Sequence, residues 1–293
     1  MQLESSDVEY LDEKMLLYTI VICVLIVLGV YFVSRKMWYV IGMTLIYEIR
    51  YYYIGFVYHV DDLLNARYNK TDLPLVPNKI AIVTGGSKGI GAEVVKKLLQ
   101  CNMEVIIACR TTTAGEKLIL EIRKSGITNG RAKVYKLDNC SLESLALCLS
   151  HTEKRKTVSK SNGRSIFFTQ AAYGQSKLAQ TMFTMTLQKL LTDKSLNMLV
   201  YSVHPGIVKT DLFKDTVLGR KKWLMMAWKT PEQGAISIIY AALSKDIERK
   251  GGIYISNCKE AALPTLALEE QIRKQLFELS LKQVRLNNFF QHL

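Results

Sequence analysis

"IAIVTGGSKGIGAEVVKKLLQ", residues 80–100, decides the fold. Ile80–Val83 is a short apolar run suited to a buried strand, and glycines break it at once. Val94, Val95, Leu98 and Leu99 then recur at helical spacing. A further apolar run, "VIIAC" (105–109), follows. The order strand, tight turn, helix, strand is that of a βαβ unit. Within the turn, Gly85 lets the chain reverse and Gly89 leaves room for a pyrophosphate. Gly91 brings helix and strand together, and the helix N-terminus faces the phosphates. Ser87, Lys88 and Ile90 complete this predicted cofactor-binding turn.

Cofactor choice is read at the end of the second strand. An acidic residue there would accept from a ribose 2′-hydroxyl and favour NAD(H). This chain has Arg110 instead, and Lys88 inside the turn. Two cations favour a 2′-phosphate, so NADP(H) is preferred, with NAD(H) left open.

Further along stands "AAYGQSKLAQ" (171–180). Tyr173 and Lys177, four residues apart, share one face of a predicted helix. Such a pair is common on ordinary amphipathic helices, and alone it decides nothing. A strand-like run, "MLVYSV" (198–203), then leads into His204-Pro205-Gly206. Pro-Gly is an ordinary turn, and Thr210 reads equally as a helix cap.

"TGGSKGIG" (84–91), "YGQSK" (173–177) and "HPGIVKTDL" (204–212) occur in an order that resembles the short-chain dehydrogenases/reductases. The resemblance runs from about residue 78 to residue 257. Within the superfamily, "AAYGQSKLA", "HPGIVKTDLFK", "KTPEQGA" and "GGIYISN" are most similar to the polyprenol dehydrogenases, with membrane-anchored retinol dehydrogenases next. It implies that Tyr173 is the general acid/base and Lys177 its partner. A free phenol titrates near about pH 10, and an adjacent ammonium stabilises the phenolate. It also implies that Asp138 contacts the adenine ring, that Pro205, Gly206 and Val208 line the nicotinamide, and that Thr210 meets the cofactor phosphates or amide.

The chain departs from this family between Asp138 and Tyr173, an interval of 35 residues. A βαβ unit takes roughly 30 or more, and by that measure roughly 70 residues are missing. No "NNAG" and no "VSS" strand with the catalytic serine can be found. Ser159 and Ser161 stand 14 and 12 residues before Tyr173, in a basic stretch unlike a buried strand. Three readings stay open: an active oxidoreductase, a catalytically silent cofactor- or partner-binding chain, and an error in an ordinary enzyme's sequence.

Composition adds a membrane. The 293 residues are 49% hydrophobic and carry a formal net charge of +13. Met15–Ser34 runs for 20 residues without a charge, which at about 1.5 Å per residue covers the roughly 30 Å hydrocarbon core. The acidic start, with Glu4, Asp7, Glu9, Asp12 and Glu13, favours an uncleaved anchor over a signal peptide. Arg35 and Lys36 put the body on the cytosolic side. The aromatic stretch 38–58 is expected in the headgroup layer or as a re-entrant hairpin.

Six cysteines without CxxC spacing exclude a disulfide framework or zinc site, and no metal is assigned. No nucleic-acid motif accompanies the positive charge. "LFKDTVLGRKKWLMMAW" (212–228) reads as an apolar lid for a lipophilic small-molecule substrate. In residues 267–284, Ile272, Leu276 and Leu279 are expected inward, with Glu270 paired to Lys274.

The expected fold class is therefore α/β: a doubly wound parallel sheet of Rossmann type, short of about two central strands and a helix, after a transmembrane helix. The expected segments are an acidic tail (1–14), the anchor (15–34), a juxtamembrane linker (35–77), the dinucleotide-binding domain (78–263, with a deletion near 140–170) and a C-terminal helix (264–293). The resemblance adds a homodimer, and an endoplasmic-reticulum or lipid-droplet location, as expectations.

Overall fold

The computed structural model describes residues 18–25, 35–138, 169–210, 228–283, 286 and 288–290. It divides into two compact units, residues 1–58 and 59–293. In the first, residues 18–25 form a helix, α1, and the long helix α2 (Arg35–Ala66) begins. Among the described residues no helix is long and apolar enough to cross a membrane. The predicted anchor lies outside them except for α1. What α2 does show is an apolar exterior, with Trp38, Tyr39, Ile46, Tyr53, Phe56 and Tyr58 all exposed.

The second unit starts as the glycine-rich stretch predicts. Strand β1 (Ile80–Thr84) leads through the turn to α3 (Gly89–Gln100), then β2 (Glu104–Cys109), α4 (Thr112–Lys124) and β3 (Arg131–Lys136). The strands are parallel and ordered β1-β2-β3, with Ile82 opposite Ile106 and Ile106 opposite Lys133. The apolar periodicity of α3 does what it should. Val94, Val95, Leu98 and Leu99 are buried against Val105, Ile107 and Cys109 of β2. Each such side chain contributes about 1.5–3 kcal/mol when taken out of water.

The second half holds α5 (Thr169–Asp193), β4 (Ser202–His204), α6 (Pro231–Leu243), β5 (Tyr254–Ser256), β6 (Lys259–Glu260), α7 (Thr265–Leu268) and α8 (Glu270–Gln283). Helix α6 is started by a capping box: Thr230 Oγ accepts from Gln233 N–H, and Gln233 Oε1 accepts from Thr230 N–H. Its Ala235 and Ile239 close the core over α3. The strand expected over 198–203 is reduced to three residues.

β4 and β5 are parallel and β6 antiparallel, forming a second three-stranded sheet. The described strands thus form two sheets where the sequence predicts one, with β1 and β4 each at an edge. A continuous sheet needs strands between those edges, and only residues 139–168 lie between Asp138 and α5. As a result Ile80 and Ile82, apolar as in a central strand, are 64% and 55% exposed.

The C-terminal helix keeps Ile272 and Leu276 of its predicted face half-buried and departs from it at Leu279. Phe277 is buried, and Leu279 is 53% exposed. Phe277 stacks on Phe183 of α5 with ring centroids 5.1 Å apart. Glu270 pairs with Lys189 of α5 rather than with Lys274.

Candidate functional site

The glycine turn sits at the carboxyl ends of the parallel strands, where open α/β sheets bind ligands. Gly85 (φ +68°) and Gly89 (φ +58°) both lie in the left-handed region that only glycine enters freely. Gly91 is packed against the turn's own backbone: a Cβ there would run into the Gly85 carbonyl and come within 3.1 Å of Gly86 Cα. Seating the turn on helix and strands falls instead to Gly86, which the motif reading passes over. A Cβ there would crowd Val95 and Ile107 at 3.1 and 3.2 Å.

Thr210 lies beside this turn. A Cβ on Gly89 would be 3.6 Å from Thr210 Cγ2. Val208 is buried and shares Gly234 of α6 with Ile90: a Cβ on Gly234 would meet Val208 Cγ2 at 2.6 Å and Ile90 Cγ1 at 3.5 Å. The glycine turn and the loop after β4 are thereby one locus. Ser87 and Asp138 are half-buried, whereas Lys88 and Arg110 project into solvent from the ends of the turn and of β2.

The loop itself is held from behind. Gly206 has φ +88°, and a Cβ on it would strike the Asp62 carboxylate and Lys229 Nζ. Lys229 and Asp62, buried together, form an ion pair of 2.5 Å. Half-buried His204 stacks on Tyr254 at 6.5 Å. Burial pushes its pKa down; Asp62 opposes that shift and Lys229 adds to it. Sequence reasoning missed Asp62 and Lys229. The only hint is that Lys229 opens the quoted "KTPEQGA" stretch.

Tyr173 and Lys177 lie near the start of a long helix. Both are on α5, Tyr173 is 56% exposed, and their recorded partners are on the same helix. Lys177 Nζ donates to Gln180 Oε1 (3.2 Å) and lies 5.5 Å from the Tyr173 ring centroid. Among the described residues no group of three or more His, Cys, Asp or Glu could hold a metal ion. Ser159, Ser161 and all of the lid read over 212–228 except Trp228 fall outside the described residues.

A glycine turn capping a parallel α/β sheet, with a second loop folded beside it, defines a Rossmann-type domain. Comparison with known proteins narrows this. The family model for short chain dehydrogenases matches residues 79–156 and 156–221. Polyprenol dehydrogenase from Danio rerio is 24% identical over 307 residues, covering 79% of this chain and 94% of that protein. Retinol dehydrogenase 11 from Homo sapiens is 27% identical over 274 residues, covering 70% and 85%. An uncharacterised protein of known structure from Mycobacterium paratuberculosis superposes with a TM-score of 0.57 at 19% identity, over 73% of this chain and 96% of that one, a likeness of fold alone. The chain belongs to the short-chain dehydrogenase/reductase superfamily, whose members bind nicotinamide dinucleotides.

Proposed function

We propose that this protein is a membrane-anchored, NADP(H)-linked oxidoreductase that interconverts a lipophilic isoprenoid, polyprenoid or retinoid alcohol and its carbonyl. The observation that carries the reading is Gly89 against Thr210, which brings the glycine turn beside the loop that the resemblance assigns to the nicotinamide. The named relatives act on polyprenol and retinol. For the membrane, support comes from the apolar exterior of α2 and from Met15–Ser34.

The glycine turn fits a dinucleotide: α3 begins at Lys88 without a side-chain cap and with no acidic residue in its first turn, leaving N–H groups for a phosphate. Gly85, Ser87, Lys88, Gly89, Ile90 and Gly91 would hold the pyrophosphate, and Arg110 with Lys88 the 2′-phosphate. Asp138 would face the adenine, and Pro205, Gly206, Val208 and Thr210 the nicotinamide side. The bound cofactor supplies or accepts hydride at the substrate carbon. Tyr173 then gives its phenolic proton to the carbonyl oxygen in reduction, or takes the alcohol proton in oxidation, with the Lys177 ammonium beside it. A dimer through α5, and a cytosol-facing position on endoplasmic reticulum or lipid droplet, belong to the same proposal.

A second reading, a cofactor- or partner-binding chain without turnover, is favoured by the exposure of Tyr173 and by the unjoined sheet edges. An internal deletion near residues 140–170, expected from the sequence, would fit it. The 307 positions aligned with the zebrafish relative draw on 79% of 293 residues, about 231, so about 76 belong to the relative alone. The two family matches meet at residue 156.

The test is purified full-length protein in detergent, with NADPH and either a polyprenal or retinal. Turnover lost in Tyr173→Phe establishes the first reading. NADPH binding without turnover establishes the second, and no binding at all removes the first together with the cofactor-binding form of the second.

A further inference from the structure

Near the end of α2, Asp62 is 5% exposed and meets Lys229, which is 2% exposed. Buried ion pairs are poor devices for stability, because losing water costs both charges about what their attraction returns. This pair therefore calls for another role, and its remaining hydrogen bonds supply one.

Lys229 Nζ donates to Asp62 Oδ1 (2.5 Å) and to Asn257 Oδ1 (2.8 Å), and Asn257 Oδ1 also accepts from Asn69 Nδ2 (2.9 Å). The other carboxylate oxygen, Asp62 Oδ2, accepts from the backbone N–H of Ile207 at 3.3 Å. The backbone of Lys229 grips the same loop from both sides: its N–H donates to Ile207 C=O (3.0 Å), and its C=O accepts from Lys209 N–H (2.9 Å). Val208 pairs with Lys229 as a parallel bridge. In such a bridge the bonds run through the flanking residues, so the N–H and C=O of Val208 point away from Lys229. Gly206 then has no room for a side chain.

We propose that Asp62 and Lys229 are positioning residues for the nicotinamide half of the cofactor. They fix the peptide planes of residues 206–209 so that the N–H of Val208 is presented to the nicotinamide amide. The inference rests on the cofactor reading above and adds to it a residue from α2, ahead of the dinucleotide-binding unit. Asp62 and Lys229 act through the loop and touch no substrate.

The experiment uses the full chain in detergent micelles, as wild type, as Asp62→Asn, and as the double variant Asp62→Leu with Lys229→Met. The double variant removes both charges at similar volume, so it keeps the test decisive if Asp62→Asn, which leaves the Lys229 charge unpaired, loses its fold. Two ligands are titrated by calorimetry: NADP⁺, and adenosine 2′,5′-bisphosphate, which has the adenine-side phosphates but no nicotinamide. Amide hydrogen exchange at Ile207 is followed without ligand, with the β2 amides as the reference for global folding. In both variants the NADP⁺ dissociation constant should rise at least tenfold, while that of the bisphosphate stays within twofold. Exchange at Ile207 should quicken at least tenfold, with β2 unchanged. Equal weakening of both ligands, or no weakening of either, overturns the proposal. If the wild type binds neither ligand, the cofactor reading fails by itself. Exchange at Ile207 then still decides whether Asp62 holds the loop, and an unchanged rate sinks that too.

Discussion

Thr210 lies against Gly89, close enough that a Cβ on the glycine would be in van der Waals contact with the threonine methyl at 3.6 Å. Two motifs from opposite halves of the chain meet there, at the positive end of helix α3. The contact sets what substitutions in the turn should do.

Gly89→Ala meets Thr210 at an ordinary distance, so its cost is the left-handed backbone, about 1–2 kcal/mol. Gly91→Ala has no such latitude, because its Cβ collides with backbone of the same turn. We expect Gly91→Ala to abolish NADP⁺ binding in calorimetry and Gly89→Ala to weaken it. Equal affinities in the two variants would contradict the packing described.

Arg110 projects freely from the end of β2. Arg110→Glu should turn preference from NADP(H) toward NAD(H), because a carboxylate accepts from a 2′-hydroxyl and repels a 2′-phosphate. The ratio of the two dissociation constants should move at least tenfold. An unchanged ratio would show that Arg110 is an ordinary solvated residue.

His204 has its folded pKa lowered from 6.5, chiefly by burial. The unfolded chain then binds the proton more readily than the folded one. Its contribution is intact above pH 6.5 and is lost as pH falls through the lowered folded value. Urea midpoints should drop between pH 7.5 and pH 5.5, and His204→Phe should flatten the part of that slope due to this residue.

Phe277 and Leu279 separate the two possible faces of α8. Phe277→Ala removes a ring stacked on Phe183 and should cost about 3 kcal/mol or more. Leu279→Ala, on an exposed side chain, should fall within about 0.5 kcal/mol. Thermal melts of the two variants give the comparison directly, and equal shifts would restore the face expected from periodicity.

The amino-acid sequence by itself determined the early βαβ order, the glycine turn and the buried stripe of α3. These rest on sterics and spacing that act within a few residues, where Val94, Val95, Leu98 and Leu99 need only each other's periodicity. It also placed Tyr173 and Lys177 on one helix. Only the tertiary structure decided that their side chains face solvent, that the described strands split into two sheets, and that Phe277 rather than Leu279 turns inward. The burial of Asp62 and Lys229 is of the same kind. Whether a charge leaves water depends on which partner arrives from a distant part of the chain, and no local pattern encodes that arrival.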